Sequence, residues 1–263
     1  MLSAAAPLGS IVGVPTFHAH IEVAHLPGIA DPAGATVERA LPALGYTNVS
    51  QVHIGKTIRL DAYLPESARP LPTVIALHGA GGDVQGMHKY ASLLAEQGFA
   101  VYVLHYFDRT ETQSADKPTI LRNFPIWMKT LWDAVSFVEK QPAVDRERIA
   151  LLGFSLGAYL ALANSTIDGR VRAVVEFFGG LPREMKLFMR RLCPVLILHG
   201  EDDPTVSLEE AHQLRDLLEK KNIPYEIKIY PGAGHGFGEE TVWQDAGVRT
   251  LHFLKKHLAP SQG

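Results

Sequence analysis

A serine lies between two glycines in the stretch LLGFSLGAYLALA, residues 151–163. An apolar run precedes this serine, Ser155, and an alanine-rich run follows it, which predicts a strand that ends and a helix that begins there. Gly153 and Gly157 then lack side chains where the two backbones pass close together. A turn of this kind exposes the serine hydroxyl in a strained conformation, ready to attack a carbonyl carbon. The GxSxG spacing therefore predicts a nucleophilic serine.

A serine hydroxyl is a weak nucleophile near neutral pH, so it needs a base and an acid that orients the base. Asp203 follows the apolar run PVLILHG, and His235 lies in a glycine-rich loop after the run YEIKIY. Serine, aspartate and histidine occur in the order expected for a strand–turn–helix nucleophile. We therefore predict a triad of Ser155, Asp203 and His235. Asp203 is preferred because it lies farther from the strand and directly precedes Pro204, and Asp202 is the alternative acid. A capping role for the helix that follows is the competing interpretation for both.

The attack on a carbonyl creates a negatively charged oxygen, which backbone amides can stabilise. The loop HGAGGD, residues 78–83, follows another apolar run and has few side chains, so its backbone can approach a substrate. We assign the oxyanion hole to the amides of Leu156 and Ala80, with Gly81 as the alternative to Ala80. These glycines do not form a GxxxxGK phosphate loop, because no Lys-Ser or Lys-Thr follows them.

Short β-branched and aliphatic runs, several of them apolar throughout, alternate with longer segments of helical periodicity. The runs TVIALH, FAVYVLHY, RIALLGF, VRAVVEFF, PVLILHG and YEIKIY predict strands. The segments MHKYASLLAEQG, FPIWMKTLWDAVSFVEKQ, SLGAYLALANS, SLEEAHQLRDLLEKKN and EETVWQDAGVRTLHFLKKHL predict helices. This alternation predicts an α/β fold with a mainly parallel sheet and helices on both faces. The triad candidates follow strands, and the carboxyl ends of parallel strands meet at one edge of such a sheet.

Two stretches at predicted strand ends could shape a substrate pocket. They are residues 106–125, which are polar and unperiodic, and residues 177–192. The apolar pocket candidates are Tyr106, Phe107, Trp127 and Phe178. A plain core role is the competing interpretation for each of them. No insertion is large enough to predict a separate cap domain.

Composition and charge limit the partners of this chain. Its 263 residues are 46% hydrophobic and carry a formal net charge of -3, so no basic surface for nucleic acid is expected. No run is long enough to span a bilayer, and no basic secretory start is evident. The single cysteine, Cys193, is predicted to be a buried thiol in a cytoplasmic protein. Alternation along a strand would place two of His18, His20 and His25 on one face, but no third metal ligand occurs at a suitable spacing. Neither a metal nor a cofactor is predicted.

Taken together, the motifs resemble the dienelactone hydrolase family of the α/β-hydrolase superfamily over residues 58–258. The resemblance lies in LPTVIALHGAGG, GFSLGAYLALA, HGEDDPTV and YPGAGHGF. It implies that Ser155 attacks an ester carbonyl, that His235 takes and returns the proton, and that Asp203 fixes the imidazole tautomer. The family members that open dienelactone have a cysteine nucleophile and an arginine four residues after the histidine. Here those positions are Ser155 and Glu239.

A carboxylate at position 239 would repel the carboxylate of dienelactone. The sequence therefore predicts a serine carboxylesterase that hydrolyses small to medium neutral esters through an acyl-enzyme. Two alternatives stay open at this point. The same triad could serve an acyl-peptide or peptide hydrolase, or it could be idle in a binding or assembly protein.

The N-terminal part of the chain resembles another family. Residues 18–62 are similar to the small PurS subunit of formylglycinamide ribonucleotide amidotransferase, in LPGIADPAGATVERAL, LGY and IGKTIRL. They predict a β-α-β-β pattern with a helix over residues 37–44 and a hairpin that turns at Gly55 and Lys56. The PurS unit is truncated here, so purine synthesis is not expected.

The two resemblances divide the chain into an N-terminal accessory segment, residues 1–57, and an α/β-hydrolase catalytic domain, residues 58–263. Two roles are open for the accessory segment: it packs on the catalytic core, or its exposed sheet edges mediate self-association into a homo-oligomer. The expected partners are otherwise limited to a small-molecule ester.

Overall fold

The computed structural model describes residues 16–23, 32–45, 47, 56–189 and 191–260. Their strands are β1 Thr16–Val23, β2 Lys56–Tyr63, β3 Leu71–Leu77, β4 Ala100–Leu104, β5 Val144–Phe154, β6 Val171–Phe177, β7 Val195–Gly200 and β8 Tyr225–Tyr230. Their helices are α1 Pro32–Ala40, α2 Gln85–Glu96, α3 Lys117–Val138, α4 Leu156–Ser165, α5 Arg183–Phe188, α6 Leu208–Lys220 and α7 Glu240–His257. None of the helices in these ranges combines the length and hydropathy needed to cross a bilayer.

All eight described strands belong to one sheet, in the order β1-β2-β4-β3-β5-β6-β7-β8. The pairs from β4 through β8 are parallel, whereas β2 is antiparallel to both β1 and β4. Parallel neighbours need long crossover connections, and the predicted helices supply them. The predicted mainly parallel α/β sheet and each of its six predicted strands are confirmed.

Helices cover both faces of the sheet, as predicted. One apolar cluster joins the sheet to α3, α4 and α6 and contains the fully buried Trp127. The other joins it to α2 and α7 and contains the fully buried Phe253. Because it is covered on both sides, β4 is buried along its whole length, as is β7. This double core fixes the strand ends from which the site is built.

Two helices depart from the sequence pattern. Helix α3 begins at Lys117, ahead of the periodic segment, because the Asp116 side chain accepts a hydrogen bond from the Thr119 amide at 3.0 Å. Pro118 occupies the first turn, where no amide is needed. The short α5 lies in the stretch 177–192 and was not predicted. It spans six residues, too few to form a cap domain.

The N-terminal strand extends the common sheet. Strand β1 pairs with β2 over their full length, from Thr16 opposite Tyr63 to Val23 opposite Lys56. The predicted boundary between residues 57 and 58 thus falls inside β2, and the division into two domains stays a prediction, as does self-association. The predicted helix over 37–44 corresponds to α1 and a 3-10 helix. Of the predicted hairpin turn, Gly55 lies outside the described residues, whereas Lys56 begins β2.

Candidate active site

The bend predicted at Ser155 is present between β5 and α4. Ser155 has φ 51° and ψ −114°, a region that residues other than glycine seldom adopt. Its amide donates a hydrogen bond to the Phe177 carbonyl at 2.9 Å, which ties the bend to the end of β6. A Cβ on Gly153 would overlap the carbonyl of Gly157, and a Cβ on Gly157 would overlap the carbonyl of Leu77. Only glycines at these two positions allow the backbones of β5, α4 and β3 to pass so close to one another.

Asp203 and His235 are joined directly. His235 Nδ1 donates to Asp203 Oδ2 at 2.7 Å, while Asp203 Oδ1 accepts from the amides of Thr205 at 2.8 Å and Val206 at 2.9 Å. The Asp203 side chain has no exposed surface, whereas the side chain of its partner His235 is 24% exposed. Asp202 itself is exposed. The buried carboxylate therefore fixes the imidazole with Nδ1 protonated, which leaves Nε2 as the proton acceptor.

The end of β6 connects the bend to the imidazole. The ring of Phe178 meets the His235 ring edge-on, with centroids 4.7 Å apart, and Phe178 directly follows the residue that binds the Ser155 amide. Phe178 also has a positive φ, 43°, and its amide donates to the Leu198 carbonyl at 2.8 Å. Ser155 and His235 thus lie at the same rim of the sheet. The structure records no hydrogen bond between these two described side chains, so that contact belongs to the proposal below.

The loop assigned to the oxyanion hole runs beside the bend. A Cβ on Gly79 would lie 3.5 Å from Ser155 Cβ. Among the hydrogen bonds of the described residues, none has the amide of Ala80, Gly81 or Leu156 as its donor. Leu156 is the first residue of α4, where an amide has no partner within the helix. Their assignment as oxyanion donors therefore stays a prediction and belongs to the proposal below.

His78 supports this loop and had no role in the sequence-based prediction. Its buried ring stacks on Tyr106 with centroids 4.1 Å apart, and its Nδ1 donates to the Gly79 carbonyl at 2.8 Å. Burial lowers the pKa of His78 to about 4, so the ring is neutral near pH 7. The signal in the sequence was its position as the first residue of the loop HGAGGD. A neutral, fixed imidazole holds the Gly79 peptide in one orientation.

The four predicted pocket residues separate into two groups. Tyr106, Phe107 and Trp127 lie in the core beneath the loop 78–83, where they contact one another and are between 0% and 3% exposed. Tyr106 also donates its hydroxyl to the His78 carbonyl at 2.8 Å. Phe178 alone among the four contacts a residue of the predicted triad. Tyr106, Phe107 and Trp127 therefore support the loop from beneath.

Glu176 is a buried carboxyl that the sequence reasoning missed. It is 0% exposed, its Oε2 accepts from the Gly179 amide at 2.8 Å, and its Oε1 has no partner among the described residues. Burial raises its pKa to about 8. The signal was an acid inside the apolar strand pattern VRAVVEFF, where an unpaired charge is rarely tolerated. The side chain holds the turn that places Phe178 against His235.

The raised pKa of Glu176 makes stability depend on pH. The unfolded carboxyl ionises near its ordinary value of 4.5 and the folded one near 8, so wild-type stability falls as the pH rises between these values. Glu176→Gln keeps an acceptor for the Gly179 amide and cannot ionise. We expect the free energy of unfolding of Glu176→Gln to exceed that of wild type by an amount that grows as the pH rises through this interval. The growth is up to about 1.4 kcal/mol per pH unit.

Urea unfolding at several pH values between these limits measures this difference. Glu66→Gln, at an exposed loop position, is the control and should follow the wild-type slope. Parallel stability curves for wild type and Glu176→Gln would contradict the assignment.

The mainly parallel sheet, the helices on both faces and the bend after β5 define an α/β-hydrolase fold. The sequence profile described as the dienelactone hydrolase family matches residues 60–249. The chain therefore belongs to the dienelactone hydrolase family. A second profile, described as phosphoribosylformylglycinamidine (FGAM) synthase and named PurS, matches residues 18–69 and confirms the N-terminal resemblance.

The chain is also similar to individual proteins and to solved structures. The chain is 26% identical over 240 residues to a Yersinia pestis protein assigned the name carboxymethylenebutenolidase, covering 78% of this chain and 89% of that protein. It is 33% identical over 150 residues to mouse mitochondrial acyl-coenzyme A thioesterase 2, covering 57% of this chain and 30% of the relative. A dienelactone hydrolase-like promiscuous phosphotriesterase from metagenomic libraries superposes with a TM-score of 0.66 at 18% identity, covering 92% of this chain and 99% of that one.

Proposed function

We propose that the protein is a serine carboxylesterase that hydrolyses small to medium neutral esters through an acyl-enzyme intermediate. One observation carries the proposal: the strained bend at Ser155 lies at the same rim of the sheet as an imidazole that donates to a buried carboxylate at 2.7 Å. Membership of a hydrolase family supports the reaction type. Each group has one role in the steps that follow.

In acylation, Ser155 Oγ attacks the ester carbonyl carbon and its proton passes to His235 Nε2. The carbonyl oxygen becomes an oxyanion, which accepts hydrogen bonds from the amides of Leu156 and Ala80. Asp203 stabilises the imidazolium. The imidazolium then gives the proton to the leaving alkoxide, so an alcohol departs and the acyl group stays on Ser155.

Deacylation reverses the proton path. His235 Nε2 removes a proton from water as the water oxygen bonds to the acyl carbon. The tetrahedral intermediate collapses, the bond to Ser155 Oγ breaks, and the imidazolium returns the proton to the serine. The carboxylic acid product leaves, and the free enzyme is restored.

The charge near the site favours neutral esters. Glu239 is exposed, lies four residues after His235, and immediately precedes α7. The Asp203 carboxylate lies behind the rim and has His235, not a lysine or arginine, as its charged-group partner among the described residues. Glu176, whose pKa is raised to about 8, is protonated near pH 7 and adds no negative charge. A substrate that carries its own carboxylate would approach this side against like charge.

A comparison of kcat/KM for a neutral ester and for dienelactone tests the proposal. We expect kcat/KM for p-nitrophenyl butyrate to exceed that for dienelactone by on the order of tenfold or more. Glu239→Arg should raise the dienelactone value, because it replaces repulsion by attraction. Glu66→Arg, remote in sequence from the triad loops, serves as the matched charge control and should leave the ratio unchanged.

Equal turnover of both substrates by the wild type would refute the preference for neutral esters. Faster cleavage of an acyl-peptide anilide than of the p-nitrophenyl ester would favour a peptide hydrolase instead.

A further inference from the structure

His199 is a buried histidine to which the proposed mechanism gives no role. It is the last residue but one of β7, and its side chain has no exposed surface. Burial lowers the pKa of His199, so the ring is neutral near pH 7. Its Nε2 lies 2.9 Å from the carbonyl oxygen of Val206, which can only accept, so the single ring proton is on Nε2. The ring is therefore held as a neutral donor to Val206.

This hydrogen bond closes the loop that carries the proposed acid. The chain leaves β7 at Gly200, passes Asp203 and returns to His199 at Val206. The carbonyl of Val206 accepts from His199, and the amide of Val206 donates to Asp203 Oδ1 at 2.9 Å. His199 thus holds the peptide group next to the one that binds the carboxylate.

The second half of the loop has few other attachments. Pro204 and Thr205 are exposed, so core packing does not fix them. Among the described residues, the hydrogen bonds of Thr205 and Val206 are those with Asp203 and His199. The position of this half therefore depends on the carboxylate itself and on the His199 imidazole.

The first half of the loop is held in another way. The Asp202 amide donates to the Ala233 carbonyl at 2.9 Å, and a Cβ on Gly200 would overlap that carbonyl. These contacts tie the start of the loop to the segment that carries His235. The bond from His199 acts beyond Asp203, where such contacts end.

His199 also lies close to the carboxylate without competing for it. Its Nε2 is 3.7 Å from Asp203 Oδ2, the oxygen that accepts from His235 Nδ1 at 2.7 Å. The longer distance exceeds that of a hydrogen bond, so Oδ2 keeps its short bond for His235. Because the His199 ring is neutral, it places no second positive charge beside the carboxylate.

We propose that His199 is a positioning residue: its hydrogen bond to Val206 holds the loop after β7 so that Asp203 meets His235. The inference rests on the proposed function, in which Asp203 orients the imidazole. His199 contacts neither Ser155 nor His235 by a hydrogen bond among the described residues, so its effect passes through Asp203. A displacement of catalytic groups by about 1 Å costs on the order of 100-fold in rate.

Two substitutions at position 199 test this role. His199→Leu removes the donor and keeps the site apolar, and we expect kcat on p-nitrophenyl butyrate to fall by on the order of 10 to 100-fold. KM should stay close to the wild-type value, because the loss lies in the chemical step. His199→Gln offers an amide nitrogen with the reach of Nε2 and should restore most of kcat. His252→Leu, exposed on α7, is the matched control and should behave as wild type.

A double substitution separates positioning from a loss of stability. In Asp203→Asn, His199→Leu should lower kcat little further, since the residue through which it acts is already altered. Additive losses would overturn the proposal, as would an unchanged kcat in His199→Leu. Either result leaves the proposed function standing, because wild type still hydrolyses the ester. If His199→Leu does not fold, His199→Asn replaces it, since its amide is too short to reach Val206, and the same loss is expected.

Failure of the proposed function looks different, because wild type would then hydrolyse no ester. Proton NMR decides the role of His199 in that case, through the His235 Nδ1 proton in its charge-assisted hydrogen bond to Asp203. A far-downfield resonance in wild type and His199→Gln that His199→Leu loses would support positioning. An unchanged resonance in His199→Leu would overturn it, as would its absence from wild type, because Asp203 would then not hold the imidazole.

Discussion

Ser155→Ala is expected to lower kcat on p-nitrophenyl butyrate by about 10⁴ to 10⁶-fold. The methyl group cannot attack the carbonyl. The proposed oxyanion amides of Leu156 and Ala80 are unchanged, so a small residual rate is expected. Alanine retains the Cβ that the bend already accommodates, and the fold should be kept. The measurement is steady-state hydrolysis combined with labelling by a fluorophosphonate probe, which reacts with activated serines.

The labelling separates chemistry from binding. Wild type should be labelled and Ser155→Ala should not, whereas Ser67→Ala, in an exposed loop, should behave as wild type. Undiminished labelling of Ser155→Ala would place the nucleophile elsewhere. No labelling of wild type would favour the idle binding protein.

Asp203→Asn is expected to reduce kcat by about 10³ to 10⁴-fold. Asparagine can still accept from the Thr205 and Val206 amides through its carbonyl oxygen, so its NH₂ group would then face His235 Nδ1. That arrangement stabilises the tautomer with the proton on Nε2, which cannot take the proton of Ser155. The loss should appear in kcat, with little change in thermal stability.

Asp202→Asn provides the matched control, since Asp202 is adjacent in sequence and exposed. We expect its kcat to stay close to the wild-type value. Equal effects of the two substitutions would contradict the assignment, and a loss confined to Asp202→Asn would make Asp202 the acid.

Local patterns were sufficient for the bend and for the strands. The apolar run before Ser155, the helical run after it and the two glycines all act within a few residues of one another, so spacing alone predicts their geometry. Most of the six predicted strands are apolar because helices cover both faces of the sheet, whereas β8 is only partly buried and carries Glu226 and Lys228. The start of α3 was missed because a single cap, from Asp116 to Thr119, extends the helix beyond its periodic segment.

Burial and long-range packing decided the rest. Asp202 and Asp203 are the same residue type at adjacent positions, and only the path of the loop after β7 buries one beside His235 while it exposes the other. The pKa values of His78 and Glu176 depart from their ordinary ranges because desolvation depends on the whole core, which no short pattern encodes. A groove lined by α2 and α7 exists only where two helices distant in sequence pack side by side on one face of the sheet. The residue types and their order along the chain thus came from the sequence, whereas burial, charge states and contacts between distant residues depend on which segments the tertiary fold brings together.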